Sequence, residues 1–479
     1  RNGVEDVEVV EPLTNYTVAR VQKNWKGNTL LGGMVTSVNR ALDQPYLEDF
    51  MVRNAFTAGI DFTQYFKNRL YYIDVKGMLS SLHGSAGAIT ALQNSVAHYY
   101  QRASSADYLG VDPTRRSLTG TGGYVKVGRK GNAKWNFSET FTWSSPGFDL
   151  NDMGYMKETD YLMNETEIMY RQTDIWKIFR YNAFTLSQKN MWNYGGTPFS
   201  NNASLRWQSM TMNRYEWDVK ETFAWNWLDS RLLRGGPDVR FGSYFLTSAK
   251  FNTDKAKRMM FMLKYEGDHN FEGNRFNTIS PSLTFRLGNH VYLSGQLDYA
   301  WNTDEMQYVA TTSPLSSSSL TPYYYVMGHM DQKTYGLTLK LQVNVTPDIS
   351  IQFYGAPFTS IAKYDDFKLA ADTKSHTFEN RFQRIDPDHL TYVDGVYTIG
   401  EGAGQMPFRN PDFRFNEFRS NLVARWEYLP GSTLYFVWEH RMSNRDNWYS
   451  SGWGSNLDRM WGLPATNTFM IKMNYWFNL

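Results

Sequence analysis

The side chains best suited to catalysis or metal binding are eight scattered histidines: His83, His98, His269, His290, His329, His376, His389 and His440. No two of them stand four apart with a glutamate between, the spacing by which one helix face presents two imidazoles and a base to a metal. In "GSAGA" (84–88), Ser85 lies between Gly84 and Ala86 and is not centred as a nucleophile elbow requires. "GTGGYVKVGRKG" (120–131) has the glycines of a phosphate loop but lacks the Gly-Lys-Ser/Thr ending. It also falls on a strand pattern, where glycine marks close backbone approach. "RIDPDHLTYVDG" gathers Asp386, Asp388 and Asp394. Hard cations want several oxygens, but no calcium-loop spacing is met, and a solvated loop is the simpler reading. A hydrolase would need serine, histidine and an orienting acid at one level. The sequence offers many such sets and selects none, so no catalytic residue, metal ligand or cofactor is assigned. Cysteine is absent, which excludes disulfides, thiolate metal sites and a cysteine nucleophile.

A different chemistry, solvation of a lumen, is suggested by Lys340, Gln342, Asn344, Arg425, Glu427, Lys472 and Asn474. Each lies opposite aliphatic or aromatic neighbours in an alternating run. They are the candidates for lining a lumen, either as a path for solute or as salt bridges and hydrogen bonds across a filled interior.

The elements that would position them follow from period 2. Tyr335, Leu337, Leu339, Leu341, Val343 and Val345 alternate with Gly336, Thr338, Lys340, Gln342 and Asn344. The last thirteen residues, "NTFMIKMNYWFNL", alternate likewise, with Phe469, Ile471, Met473, Tyr475, Phe477 and Leu479 on one face. Such runs are half-buried strands. They extend over about 10–13 residues, against about 5–6 in soluble proteins. About nineteen strands are expected. Short turns such as Lys26-Gly27, Lys67-Asn68, Gly288-Asn289 and Pro430-Gly431 alternate with long connections near 81–117, 303–321, 361–415 and 444–466. A short helix is expected in "AGAITALQNSVAHYYQRA", with Ile89, Leu92 and Val96 on one side.

Composition agrees. Aromatic residues make up 16% of the 479 residues, yet mean hydropathy is −0.53. No apolar run reaches the roughly 18 residues of a spanning helix. A closed β-barrel is the other structure that satisfies the backbone in lipid, and its strands alternate apolar-out with polar-in. The net charge of +2 argues against a nucleic-acid partner. The fold class read here is therefore all-β: a large antiparallel transmembrane β-barrel occupying 1–479, of about 19 strands in this chain, and 20–26 if strands precede it. Short turns would face the periplasm and long loops the exterior. No signal peptide is seen at Arg1, and an odd strand count leads to the expectation that early strands lie ahead of it.

"EPLTNY" (11–16), "GGMVTSVNR" (32–40), "SVAHYYQRASSADYLGVDPTRRSLTGTGG" (95–123) and "RWEYLPGSTLYFVW" (425–438) resemble the domain-of-unknown-function 5916 family. These are outer-membrane β-barrel proteins frequent in Bacteroidota. Ala103-Ser104 departs from the Pro-Asp expected after the Gln-Arg pair. The resemblance implies a longer chain, with an N-terminal domain similar to a family 9 carbohydrate-binding module and earlier barrel strands, and no established activity. The function expected is a transport, docking or accessory role in the bacterial outer membrane, porin-like in build and linked to glycan handling. The alternatives are a barrel-embedded hydrolase and a plugged structural barrel that scaffolds lipoproteins. Expected partners are outer-membrane lipids and lipopolysaccharide, other outer-membrane proteins or lipoproteins, and a glycan ligand.

Overall fold

A computed structural model of the protein describes residues 9, 11–102, 107–225, 227–315, 323–446 and 453–477. Ala103-Ser104 and Leu479 lie outside the described residues. The first ten strands are β1 (Thr14–Trp25), β2 (Thr29–Arg40), β3 (Asn54–Phe66), β4 (Tyr71–His83), β5 (Ser117–Arg129), β6 (Trp135–Ser144), β7 (Tyr161–Gln172), β8 (Phe179–Trp192), β9 (Pro198–Thr211) and β10 (Glu216–Trp225). A small hairpin follows, β11 (Trp227–Asp229) with β12 (Val239–Phe241). Then come β13 (Tyr244–Asn252), β14 (Met259–Asn270), β15 (Arg275–Leu287), β16 (Val291–Thr312), β17 (Tyr324–Asn344) and β18 (Ile349–Ala370). β19 (Phe382–Arg384) pairs with the end of β18. β20 (Leu390–Val393), β21 (Val396–Ile399) and β22 (Met406–Arg409) make a separate three-stranded sheet. β23 (Phe413–Leu429), β24 (Ser432–Asp446) and β25 (Thr466–Asn474) complete the series.

Leaving out β11, β12 and β19–β22, nineteen strands follow one another in chain order, each antiparallel to the next, within one twenty-stranded sheet. The fold is that of a large antiparallel β-barrel. Among the described residues no pairing joins β1 to β25, and the two run in the same direction. Connections at one end are two to six residues long. Lys26 and Gly27 both adopt positive φ (48° and 69°), the backbone of a two-residue turn that matches strand twist. The opposite end carries every long connection, and three apolar clusters sit there. One joins Leu233, Met306, Met327 and Phe382. The second joins Val326, Phe367, Ile399 and Phe408, and the third Val38, Ala55 and Leu82.

Several boundaries differ from those the sequence suggests. β16 continues to Thr312, β17 begins at Tyr324 and β18 runs to Ala370, so much of 303–321 and the start of 361–415 are strand. Alternation fades there because consecutive residues are buried, as at Val326, Met327 and Gly328 and at Phe367, Lys368 and Leu369, beneath β20–β22 and loop side chains. The last strand ends at Asn474, and 475–477 are not strand. After the short α1 (Pro45–Glu48), the helix in 86–103 is shorter than its pattern: α2 spans Ala86–Gln93 and is capped by Ser85, whose hydroxyl accepts the Ala88 N–H at 3.0 Å. Ile89 is buried, but Val96 lies past the helix end and is exposed.

The glycine run in β5 has the steric cause expected of it. A Cβ on Gly120 would lie 2.1 Å from the Phe148 backbone nitrogen, and one on Gly123 would lie 2.1 Å from the Lys76 carbonyl. Gly120 therefore seats the 145–149 loop directly on the strand. Gly120→Val is expected to destabilise the protein by about 1–3 kcal/mol through forced displacement of that loop. Gly110→Ala, with open space around it, should stay within about 0.5 kcal/mol. Heat-modifiability on semi-native gels measures both.

Candidate functional site

Side chains of one strand alternate between faces, and antiparallel partners share a face, so the registers sort the whole sheet. Asp61 faces Lys76, and Lys76 faces Tyr124. Glu165 faces Lys189, Arg206 faces Lys220, and Ser248 faces Glu266. The other face carries Ile60, Val125, Ile168, Leu186, Leu205 and Leu297, all exposed. Loop residues Leu150 and Met153 close a cavity of about 430 Å³ with Arg20, Met34, Asp61 and Met78. The charged face, on which loops are seated, is thus the inner face of the sheet. Lateral pairing holds its charges. Arg206 grips Asp218 through two nitrogens at 2.7 and 2.5 Å, and Lys264 reaches Glu266 at 2.7 Å.

All seven lumen candidates share this face. Lys340 faces Tyr354, Gln342 faces Gln352, and Asn344 and Arg425 both face Ser350. Glu427 and Asn474 both face Thr433, while Lys472 faces Tyr435. Their surroundings divide six of them into two groups, while Lys472 is exposed. Lys340 and Gln342 border a cavity of about 290 Å³ with Gln352, Tyr354 and Asn421. Arg425 and Glu427 pair with each other at 2.5 Å, and Glu427 also accepts the Gly431 N–H, which ties both to the β23–β24 turn. Asn344 donates to the Asn289 carbonyl, and Asn474 donates to Thr433 Oγ1. These four polar residues hold turns and strand ends.

The ion pairs that join the loops into one cap have no local signature in the sequence. His98 Nε2 lies 2.9 Å from Asp149 Oδ2, and its Nδ1 lies 2.9 Å from the Pro146 carbonyl. Arg102 donates to Asp160 at 2.6 Å, and the Tyr108 hydroxyl donates to the same oxygen at 2.6 Å. Burial and the charge of Asp160 push the Tyr108 phenol upward, so it remains a donor at neutral pH. Arg102 also reaches Ser230, between β11 and β12. Arg231 donates to the carbonyls of Val96 and Lys157 and pairs with Glu158 at 3.1 Å. Arg381, fully buried, forks onto Glu272 at 2.9 and 2.7 Å and donates to the Arg240 carbonyl. Arg414 pairs with Asp446 and donates to Asn456 of α3 (Trp453–Trp461). Loops from strands far apart in order thus meet over one end of the sheet.

The parts of a hydrolytic triad fall on different histidines. Ser81 Oγ lies 3.0 Å from His83 Nε2, but among the described residues His83 has no acid partner. His98 has its acid, but its other ring nitrogen is taken by the Pro146 carbonyl; the Thr159 hydroxyl lies 3.3 Å from that nitrogen, is buried and also donates to the Ala97 carbonyl, and no serine reaches His98 among the described residues. Among the described residues no cluster of histidine, aspartate and glutamate is arranged to hold a metal ion.

The chain belongs to the family described as Domain of unknown function (DUF5916), whose model matches residues 1–479. No curated protein matches the sequence significantly. Among solved structures, the chain is similar to the siderophore receptor PirA from Acinetobacter baumannii, at 9% identity and a TM-score of 0.36 over 88% of this chain and 70% of that one. It is also similar to a variant of the ferric enterobactin receptor PfeA from Pseudomonas aeruginosa, at 9% identity and a TM-score of 0.41 over 93% and 72%. Likeness this loose carries no functional inference.

Arg102→Met would leave Asp160 buried without its cation, at an expected cost of about 3–5 kcal/mol. Adding Asp160→Asn should recover most of the loss, because asparagine tolerates the positive φ of 61° at that position. Unfolding temperatures of the two single variants and the double variant, measured in detergent, test this coupling.

Proposed function

We propose that the protein is a bacterial outer-membrane β-barrel whose charged inner face encloses a lumen and whose long loops close the outer mouth. One observation carries the reading: ion pairs, buried except for the half-buried Arg231–Glu158, cross-link the loops after β4, β6, β10, β14 and β18 over a single end of the sheet. A freely open pore would not need them. The exposed aliphatic and aromatic outer face suits lipid, with rings such as Trp25, Trp135, Trp217 and Trp426 near the short-turn end forming an interfacial girdle.

The role this supports is docking or accessory work at the cell surface, with transport confined to solutes for which the cap opens. Tyr155, Phe271 and Tyr323 stand exposed on the loops, as a docking surface requires. A glycan is one ligand class that such rings could stack against, and the family resemblance favours it. The cavity of about 430 Å³ beneath Leu150 and Met153 favours transport as the second reading, because it joins methionine and leucine contacts to Arg20, Asp61 and Lys76.

Reconstituted in planar bilayers, the intact protein is expected to show conductance near zero. Replacing residues 145–159 by a short glycine-serine linker should produce steady channels. Constant large conductance from the intact protein would overturn the capped reading. A monodisperse protein that stays soluble without detergent would overturn the membrane reading.

A further inference from the structure

The outer wall is not apolar throughout. On β6–β9 the registers assemble a polar island from six side chains. Asn164 of β7 faces Asn190 of β8, which faces Asn201 of β9. One row nearer the short-turn end, Glu139 of β6 faces Thr166, which faces Gln188. Apolar rows bound the island on both sides. Trp143, Leu162 and Trp192 lie towards the loops, and Phe137, Ile168, Leu186 and Leu205 lie towards the short turns. Its place on the outer face follows from alternation: Glu139 stands between exposed Phe137 and Phe141, and Gln188 is two residues from exposed Leu186.

The island is poorly satisfied from within. Glu139 accepts a hydrogen bond from Thr166 Oγ1 at 2.5 Å. Among the described residues, the carboxamides of Asn164, Gln188, Asn190 and Asn201 have no hydrogen-bond partner. One row nearer the turns, Glu221 of β10 adds a second carboxylate, which accepts from Thr247 at 2.7 Å. The outer positions of β6, β7, β9 and β10 include no lysine or arginine. On the neighbouring β5, Arg129 lies one row nearer the turns than Glu139, but it stacks over Tyr71 and makes no ion pair with Glu139 among the described residues. Hydrocarbon would leave four amides and two carboxylates without solvation, and each unsatisfied polar group is costly there. An intramembrane ionisable group of this kind ordinarily has a partner.

We propose that this wall docks a second membrane-inserted protein, one that presents hydrogen-bonding side chains and at least one lysine or arginine to Glu139. The proposal rests on the outer-membrane reading above. A second copy related by a two-fold axis is the weaker occupant, because it would bring carboxylate to carboxylate with no cation between them. Lipid acyl chains offer the amides nothing.

The test is site-specific photo-crosslinking of the full-length protein in its native outer membrane. p-Benzoylphenylalanine replaces Gln188, with Leu297 on an apolar stretch of the outer face as control. The expected result is one protein adduct from position 188, joined through a peptide containing lysine or arginine, absent from position 297 and lost on Glu139→Gln. An adduct of twice the chain mass, adducts with lipopolysaccharide alone, or none at position 188 would overturn the proposal. Lipid adducts at position 297 report that the wall lies in the membrane. Their absence would overturn the membrane reading itself, and the docking proposal with it. In the purified protein in detergent, Asn164→Leu with Asn190→Leu should raise the unfolding temperature while abolishing the adduct in cells. A lowered unfolding temperature would show that the amides serve the fold, and would overturn the proposal.

Discussion

The antiparallel backbone ladder is the interaction on which everything else depends. Eighteen successive pairings link the nineteen strands, and each consumes the N–H and C=O groups that the chain could not otherwise satisfy away from water. A ladder fixes register, and register fixes which face a side chain occupies; a slip by one residue would exchange the faces of an entire strand. The charged face bearing Lys76, Glu165, Arg206 and Lys340 and the apolar face bearing Ile60, Ile168 and Leu339 are therefore two results of one constraint.

Charges gathered on one face must be balanced there. Many are settled between neighbouring strands, as Arg206 is by Asp218, or along one strand, as Arg425 is by Glu427. Such pairs are partly exposed, so each contributes little to stability; their consequence is a face that can hold water. The loop end follows a different rule. Arg102, Arg381 and Arg414 are almost fully buried, and each meets an acid. Burial makes such pairs expensive to form and more expensive to break, which favours one arrangement of loops over many.

This division explains what could be read from the sequence. The strands were legible because alternation is local: β2 at 29–40 needs no knowledge of its partners. The seven lumen candidates were placed on one face for the same reason. What they touch was not legible, since Arg425 meeting Glu427 two residues away and Lys340 bordering a cavity give the same pattern. The cap was illegible because its bonds span long separations. Arg102 reaches Asp160 across 58 positions and Arg381 reaches Glu272 across 109, and nothing local marks either residue. Gly120 lies between these cases. Its run announced close backbone approach, but the approaching segment, 145–149, is set by the fold. The ends of β16–β18 were missed because alternation requires one wet face and one apolar face, and there consecutive residues such as Val326–Gly328 and Phe367–Leu369 are buried together.

The distribution of apolar residues shows that two solvents shape the molecule. A water-soluble domain gathers its apolar side chains into one core. Here the sheet holds no such core, since its apolar face points outward and its inner face is charged. Among the described residues, apolar core clusters lie only at the loop end, around Met327, Phe367 and Val38. The sheet's outer wall therefore gains its burial from whatever surrounds it, while the cap gains its own from packing against itself. The two can change independently. Substitution on the wall alters what the protein sits in or beside, and substitution in the cap alters how its loops pack against one another. The polar island on β6–β9 falls under the first rule: Asn164 and Asn190 pair through their backbones in the ladder, but among the described residues their side chains bond to neither a strand nor a loop. The proposed partner would supply the hydrogen bonds those side chains lack.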